Sequence, residues 1–419
     1  MSVPTTSRQT LRGGVVIAVA MGVMNVTTYA FTILAARLLG PAEYGALAAV
    51  MGLLLVVNVL SLGLQATAAR RVSAAPGDLP QIEREVLTTG YVSALALGLL
   101  ALAATPLVTA TLNLDSWVAA ALIAATAVPL SIMGAQAGIL QGERRWGPLA
   151  AIYLCVGLGR IGFGAVALIV EPDTLGAMIG VAAGAFVPVV VGWFALRHAG
   201  RRRTGSNVAT TRTSRWAPGS VLRETGHNSH ALLAFFALSN ADVVIARSTL
   251  NEHQAGLYAA GLILAKAVLF LPQFVVVVAF PSMARAGARK WMHLISLLVV
   301  FGIGLVTVLG VAVLSGLAVS FVGGPEYVDL RGRLWGFAAL GTLLAMIQLL
   351  IYNIVARQRQ RAVLLVWAAL VTLLVATRFV DSVTDLLIVV TIVDAALFLV
   401  LLARSVAPSY GHEPKPAAL

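Results

Sequence analysis

Four ionisable residues lie inside long apolar stretches of the sequence: Arg160, Lys266, Asp242 and Asp394. A charged side chain in the hydrocarbon of a bilayer costs about 2.5–3.5 kcal/mol, so four of them facing lipid would cost about 10–14 kcal/mol. We therefore expect these residues to face a wet cavity or one another. A buried arginine or lysine suits an anionic ligand, and a buried aspartate suits a proton or another small cation.

More than one role stays open for three of these residues. Asp242 either pairs with nearby Arg247 at the membrane edge or acts in function, and Lys266 either faces a cavity or extends to the outer interface. Asp394 either pairs with a cation such as Lys266 or binds a proton. Arg160 has about twelve residues of helix on either side and cannot easily reach an interface. We predict that Arg160 faces a central cavity.

Polar residues without charge also interrupt the apolar stretches. Asn25, Gln65 and Gln348 are candidates for lining a path for a hydroxyl-rich substrate, and the alternative is hydrogen bonding between helices. His227 and His230 have an HxxH spacing with no third ligand nearby, so we predict no metal site. The sequence has a single cysteine and no phosphate-binding loop, so it predicts neither an internal disulfide nor a nucleotide cofactor.

The elements that must position these residues are transmembrane helices. The chain is 59% hydrophobic and 11% charged, whereas soluble domains are about one quarter charged. Apolar runs of about 18 residues or more predict an all-α polytopic membrane protein of twelve spans. The predicted spans are residues 13–36, 45–68, 87–111, 117–140, 148–170, 175–196, 228–248, 256–280, 292–322, 334–356, 362–380 and 384–404.

The basic residues fall mainly in alternate connectors. With the N-terminus in the cytoplasm, 22 of the 29 lysines and arginines lie in inside segments and 5 in outside segments. Positively charged loops stay on the cytoplasmic side, so both termini are predicted to be cytoplasmic in the cell inner membrane. The net charge of +12 is thus explained by topology and anionic lipids, and no nucleic-acid partner is expected.

A short repeat and a basic linker divide the chain into two halves. EYGALAAVM from Glu43 aligns with QAGLYAAGL from Gln254, which places Gly45 on Gly256 at an offset of 211 residues. We predict two six-helix bundles of the same orientation around a central cavity. The predicted segments are bundle 1–197, cytoplasmic linker 198–226, bundle 227–405 and disordered tail 406–419.

Four stretches of the sequence carry a family resemblance: AARLLGPAEYGALAAV at 35–50, GILQGERRW at 138–146, residues 239–285, and FVGGPEYVDL at 321–330. In this order and spacing they resemble bacterial polysaccharide-biosynthesis flippases of the Wzx type. Those flippases belong to the multidrug/oligosaccharidyl-lipid/polysaccharide exporter superfamily, which also holds the MATE antiporters. The resemblance implies a MATE-like fold.

The resemblance also implies a function: moving an oligosaccharide on a polyprenyl pyrophosphate across the membrane by alternating access. Arg160, Lys266 and cytoplasmic-edge Arg70 are candidates to bind the pyrophosphate, and Asp242 and Asp394 are candidates for ion coupling. Expected partners are the lipid-linked glycan and membrane lipids, with a glycan polymerase or glycosyltransferases as further candidates.

Two other functions stay open. One is a cation-coupled multidrug or metabolite exporter of the same fold. The other is a membrane glycosyltransferase, which the short external connectors disfavour because such an enzyme is expected to carry a large external loop with catalytic acids. We therefore predict no enzymatic activity and no cofactor.

Overall fold

The protein is built from membrane-spanning helices, as described by a computed structural model for residues 5–203, 220–269, 289–356 and 363–406. The helices are α1 (Thr5–Val57), α2 (Val59–Ala74), α3 (Leu79–Ala103), α4 (Thr105–Thr111), α5 (Trp117–Gly142), α6 (Trp146–Val170), α7 (Thr174–Arg203), α8 (Ser220–Thr249), α9 (Glu252–Leu269), α10 (Arg289–Val313), α11 (Ser315–Val322), α12 (Leu334–Ala356), α13 (Val363–Ala376) and α14 (Val383–Val406). These ranges contain no strand, which confirms the all-α prediction. Helices satisfy every backbone donor and acceptor internally where hydrocarbon offers no partner.

A helix lies at each of the twelve predicted span positions. Nine segments of the described ranges are long and apolar enough to cross a membrane, when Gly13–Ala74 is counted once. Helix α9 and the short apolar helix Val363–Phe379 occupy two further predicted positions. The predicted third and ninth spans each consist of two helices in succession, α3 with α4 and α10 with α11.

The first two predicted spans form one helical run, Gly13–Ala74, of 62 residues. A straight run of that length would measure about 93 Å, roughly three times the thickness of the hydrocarbon core. The run is broken at Gly40, whose φ of 68° and ψ of 177° favour glycine, and Pro41 begins the next helical segment. The break accounts for two predicted spans within one run.

The predicted outside connectors meet at one end of the molecule, which we call the outer end. The backbone N of Thr174 donates to Glu43 Oε2 at 2.8 Å, and Arg247 Nε donates to the carbonyl of Leu112 at 2.9 Å. The predicted inside segments meet at the opposite, inner end. There Arg145 donates to the carbonyl of Ala195 at 2.9 Å. The helices therefore alternate in direction as the charge pattern predicts.

Helix α8 of the C-terminal half packs against the N-terminal half along the whole depth of the protein. It runs antiparallel to residues 41–74. A Cβ added to Gly52 would lie 2.9 Å from Val243 Cγ1, and one added to Gly63 would lie 1.7 Å from Ser229 Oγ. These glycines allow the close approach of the helices.

The two glycines aligned by the repeat are in contact. A Cβ on Gly45 would lie 2.8 Å from the backbone N of Gly256, and one on Gly256 would lie 1.7 Å from the carbonyl oxygen of Pro41. Equivalent residues touch each other where an axis relating two halves passes between them, so this contact supports a repeat axis at the outer end.

The division into bundles 1–197 and 227–405 stays a prediction. The predictions for linker residues 204–219, for tail residues 407–419 and for the eighth span beyond residue 269 lie outside the described residues.

We predict that Gly256→Ala destabilises the protein by about 1–3 kcal/mol, because the new methyl group would overlap a backbone carbonyl. The measurement is the midpoint of thermal unfolding in detergent. Gly162→Ala is the control, since a Cβ at Gly162 has nothing within 4 Å. An unchanged midpoint for Gly256→Ala would contradict the close contact.

Candidate functional site

Five polar residues from three helices form a cluster within the C-terminal half, which we call the α8–α9–α14 cluster: Asn240, Asp242, Tyr258, Lys266 and Asp394. Asp242 is 1% exposed and accepts hydrogen bonds from the backbone N of Val243 at 2.8 Å and from Tyr258 Oη at 3.3 Å. Lys266 Nζ donates to Asn240 Oδ1 at 3.0 Å. The cluster thus brings together three of the charges predicted inside spans.

The structure decides between the alternatives for Asp242 and Lys266. Arg247 does not bind Asp242 in the described part of the chain; it pairs with Glu252 at 3.1 Å and donates to backbone carbonyls. Lys266 points to Asn240 and has Asp242 as its electrostatic neighbour, so its ammonium group stays inside the protein. The structure therefore does not show the alternative in which Asp242 pairs with Arg247, nor the alternative in which Lys266 extends to the outer interface.

Asp394 is the member of the cluster that keeps unused hydrogen-bonding capacity. It is 2% exposed, and its Oδ1 has no hydrogen-bond partner among the described residues. Its electrostatic neighbours are Asp242 and Tyr258, whereas the acidic neighbour of Lys266 is Asp242. The structure therefore places Asp394 near a second carboxyl group and does not show the alternative in which Asp394 pairs with Lys266. The role of Asp242 and Asp394 in ion coupling stays a prediction.

Asn240 and Tyr258 are cluster members that the sequence analysis missed. Asn240 lies two residues before Asp242 in the same apolar span. Tyr258 stands in the repeat where the first half has Leu47, so it is a polar departure from the pattern. Both signals were present in the sequence.

Arg160 lies in the middle of α6, in the N-terminal half. Residues on one face of this helix are exposed, including Leu158 and Val166, as expected for contact with lipid. Arg160 projects from the opposite side, between the faces on which Gly157 meets α1 and Gly159 meets α7. It is half-buried and makes no hydrogen bond or ion pair with the described residues. The role of Arg160 in a central cavity stays a prediction.

The remaining predicted site residues have different surroundings. Gln65 Nε2 donates to Gln141 Oε1 at 2.9 Å and to Tyr153 Oη at 2.7 Å, so it hydrogen bonds between helices. Asn25 is half-buried on α1, and Gln348 is buried on α12. Their roles in lining a path stay predictions.

Arg70 lies at the inner end, where it is 62% exposed and paired with Glu224 of α8. The neighbouring Arg71 is buried and binds the same carboxylate at 2.9 Å. These ion pairs connect the two halves of the sequence. The sequence analysis did not single out Arg71 or Glu224, because the partner lies 153 residues further along the chain.

The described residues contain no group of three or more His, Cys, Asp or Glu side chains able to hold a metal ion. His230 Nε2 instead accepts a hydrogen bond from Trp367 Nε1 at 3.1 Å. The side chain of His227 lies outside the described residues.

A family model described as polysaccharide biosynthesis protein matches residues 10–287, more than half of the chain. The chain belongs to this family. No curated protein sequence matches it significantly. The family assignment confirms the resemblance of the sequence motifs.

The fold is that of the MATE transporters. It is similar to an inward-facing multidrug resistance MATE family transporter of the MOP superfamily, with a TM-score of 0.69 and 13% identity over 93% of this chain and 97% of that chain. An outward-facing transporter of the same description gives a TM-score of 0.61 and 14% identity over 94% of both chains. A eukaryotic MATE transporter gives 0.59 and 14% over 96% of both. The polysaccharide biosynthesis family and this fold together are those of membrane exporters and flippases.

We predict that Lys266→Met alone destabilises this family member by about 3–5 kcal/mol, because the buried carboxylate of Asp242 loses its compensating charge. The double variant Asp242→Asn/Lys266→Met is expected to recover a coupling energy of about 1 kcal/mol or more. Unfolding free energies of the two single variants and the double variant give this coupling.

The matched control combines Lys266→Met with Asp385→Asn. Asp385 is exposed at the outer end and hydrogen bonds Ser382 at 2.7 Å, so its effect is expected to add to that of Lys266→Met. If the Asp242 and Lys266 effects are equally additive, the cluster is not an electrostatic unit.

Proposed function

We propose that this protein translocates a polyprenyl-pyrophosphate-linked oligosaccharide across the cell inner membrane by alternating access, for cell-surface polysaccharide biosynthesis. The observation that carries the proposal is Arg160, a half-buried cation in the middle of a membrane-spanning helix that is unpaired within the described residues. An uncompensated charge at this depth is costly, and a pyrophosphate is an anion that would compensate it. The polysaccharide biosynthesis family supports a glycan as the cargo.

The remaining parts of such a cargo have corresponding needs. The sugars need hydrogen-bonding groups, for which Asn25 and Gln348 are the candidates, and the polyprenyl tail stays in lipid. Arg70 at the inner end is a candidate for the first contact with the pyrophosphate, because its guanidinium is mostly exposed and bound to Glu224 on one side only. In this proposal both termini are cytoplasmic, which makes the inner end the cytoplasmic end. The cargo then enters at the inner end and leaves at the outer end.

Energy for transport is proposed to come from a cation gradient acting on the α8–α9–α14 cluster. Asp242 is already compensated by Lys266 and by two hydrogen bonds, whereas one oxygen of Asp394 is unpartnered among the described residues. Binding of a proton or sodium ion to Asp394 would remove the repulsion between the two carboxyl groups. The occupancy of this cluster would then bias the two halves between inward and outward conformations.

A second candidate function is export of a drug or metabolite by cation coupling. The multidrug transporters of similar fold and the carboxyl groups of the C-terminal half favour it. It does not account for Arg160, because an arginine would repel a cationic drug. The two candidates differ in the charge of the cargo.

We predict that Arg160→Ala lowers the rate of glycolipid transport about tenfold or more, as expected when a charge-assisted bond to phosphate is lost. The assay uses proteoliposomes and a fluorescent polyprenyl pyrophosphate that carries one sugar. A membrane-impermeant quencher reports how much of this glycolipid lies in the outer leaflet. Arg160→Lys, which keeps the charge, should retain part of the rate.

Arg84→Ala is the control for loss of one positive charge, since Arg84 is exposed in the first turns of α3 at the inner end. Its transport rate should equal that of the unmodified protein. Transport by Arg160→Ala at the unmodified rate would refute the role of Arg160. Movement of a cationic dye but not of the glycolipid by the unmodified protein would favour the second candidate.

We predict that Asp394→Asn removes the stimulation of transport by an imposed cation gradient, because a neutral amide cannot take up a proton and carries no negative charge to compensate a sodium ion. The stimulation is measured in the same proteoliposomes with either a proton or a sodium gradient. Asp385→Asn, an exposed aspartate of the same helix, should keep it. Full stimulation of Asp394→Asn by both gradients would exclude Asp394 as the coupling group.

A further inference from the structure

Two arginines at matching places in the repeat reach across from their own half to the other half. They follow alanines in the pairs Ala36-Arg37 and Ala246-Arg247, which are 210 residues apart. Both lie at the outer end, where the first helical segment of α1 and helix α8 arrive. Each arginine thus stands at the same turn of the chain in its half.

Arg247 binds backbone carbonyls of the N-terminal half. It is 4% exposed, and it donates from Nε to the carbonyl of Leu112 at 2.9 Å and from Nη2 to the carbonyl of Asn113 at 3.0 Å. These carbonyls directly follow the short helix α4, where a helix leaves its last acceptors unsatisfied and carries partial negative charge. A guanidinium fits such a position because it offers several donors in one plane.

Arg37 makes the corresponding contact in the opposite direction. Its Nη2 donates to the carbonyl of Ser320 at 2.7 Å. Ser320 lies in the last turn of α11, which follows α10 in the C-terminal half as α4 follows α3 in the N-terminal half. The two contacts are therefore reciprocal: each half supplies one arginine and one short helix end.

The arginines lie at the outer level, where the backbones of the two halves come into contact. Gly45 meets Gly256 there, and Tyr327 Oη donates to the carbonyl of Ala36 at 2.9 Å. The polar contacts of Arg37, Arg247 and Tyr327 lie at the aqueous end of the helices. Water can replace a hydrogen bond to a backbone carbonyl at that end, so breaking these contacts costs much less than it would inside the bilayer.

We propose that Arg37 and Arg247 form a reciprocal pair of gate residues, which hold the outer ends of the two halves together and must both release before the protein opens outward. The proposal rests on the movement of two halves in the proposed function, but not on the identity of the cargo. Loss of either arginine shifts the conformational equilibrium toward the outward-open state.

The test measures the distance between the outer ends directly. Cys155→Ser removes the single native cysteine, and spin labels are attached at Asp115→Cys and Asp329→Cys, which are exposed outer-end positions in different halves. Double electron–electron resonance in lipid nanodiscs then gives the distance distribution without any cargo. Arg37→Ala and Arg247→Ala are each expected to raise the long-distance population about fivefold or more, and the double variant further.

Arg331→Ala is the matched control. Arg331 is also an exposed outer-end arginine, but its Nε bonds Ser315 Oγ of its own half at 3.3 Å. Its distance distribution should equal that of the unmodified protein. An unchanged distribution in Arg37→Ala and in the double variant, or an equal shift in Arg331→Ala, would overturn the proposal.

Two features keep the result interpretable. Arg37 is exposed, so Arg37→Ala provides a readout even if Arg247→Ala fails to fold, and Arg247→Lys is a milder second variant expected to show a smaller shift. If the arginine variants show unchanged distances and the protein transports glycolipid normally, the gate role of Arg37 and Arg247 is rejected but the proposed cargo is not. If the arginine variants open at the outer end but the unmodified protein moves no glycolipid, the proposed cargo is rejected but the gate role of the arginines is not.

Discussion

The inability of hydrocarbon to solvate charge and unpaired backbone groups governs the whole structure. It requires helices throughout the membrane, and it favours structures in which every charge inside a span has a partner within the protein. On α6 the consequence is visible within about two turns: Leu158 and Val166 are exposed on one side, and Arg160 projects from the other. The same constraint gathers Lys266 with Asp242, because neither charge is stable alone at that depth.

The charges inside the spans are distributed unequally between the halves. The N-terminal half holds Arg160, which has no partner among the described residues, and the C-terminal half holds a compensated cluster with one spare carboxyl oxygen on Asp394. This separation is suited to a protein in which one half binds an anionic cargo and the other senses a small cation. The halves must then communicate through their contacts.

Those contacts differ in chemistry from one level of the membrane to the next. Within the bilayer, glycines such as Gly52 and Gly63 bring helices close, and Tyr29 Oη donates to the carbonyl of Ile263. At the two aqueous ends, arginines take over: Arg247 binds backbone carbonyls at the outer end, and Arg71 binds Glu224 at the inner end. Polar groups at the ends can replace their contacts by hydrogen bonds to water, whereas apolar contacts in the middle allow the helices to slide past one another. An arrangement of this kind would allow the two halves to rock about the packed glycines between them.

Patterns local in the sequence were sufficient to predict the spans, their alternating direction and the family, because hydrophobicity, loop charge and motif spacing are properties of neighbouring residues. The repeat aligned Gly45 with Gly256, but the contact between these glycines became visible in the tertiary structure alone. Only the tertiary structure decided which charge meets which. Arg247 seemed the natural partner of Asp242 five residues away, but in the helix it projects toward the carbonyls after α4, while Lys266 from the next helix faces Asp242. Which charges become partners depends on how the helices rotate and pack against one another. It also depends on the free-energy cost of leaving a buried charge uncompensated. Neither of these can be deduced from the order of residues within one span.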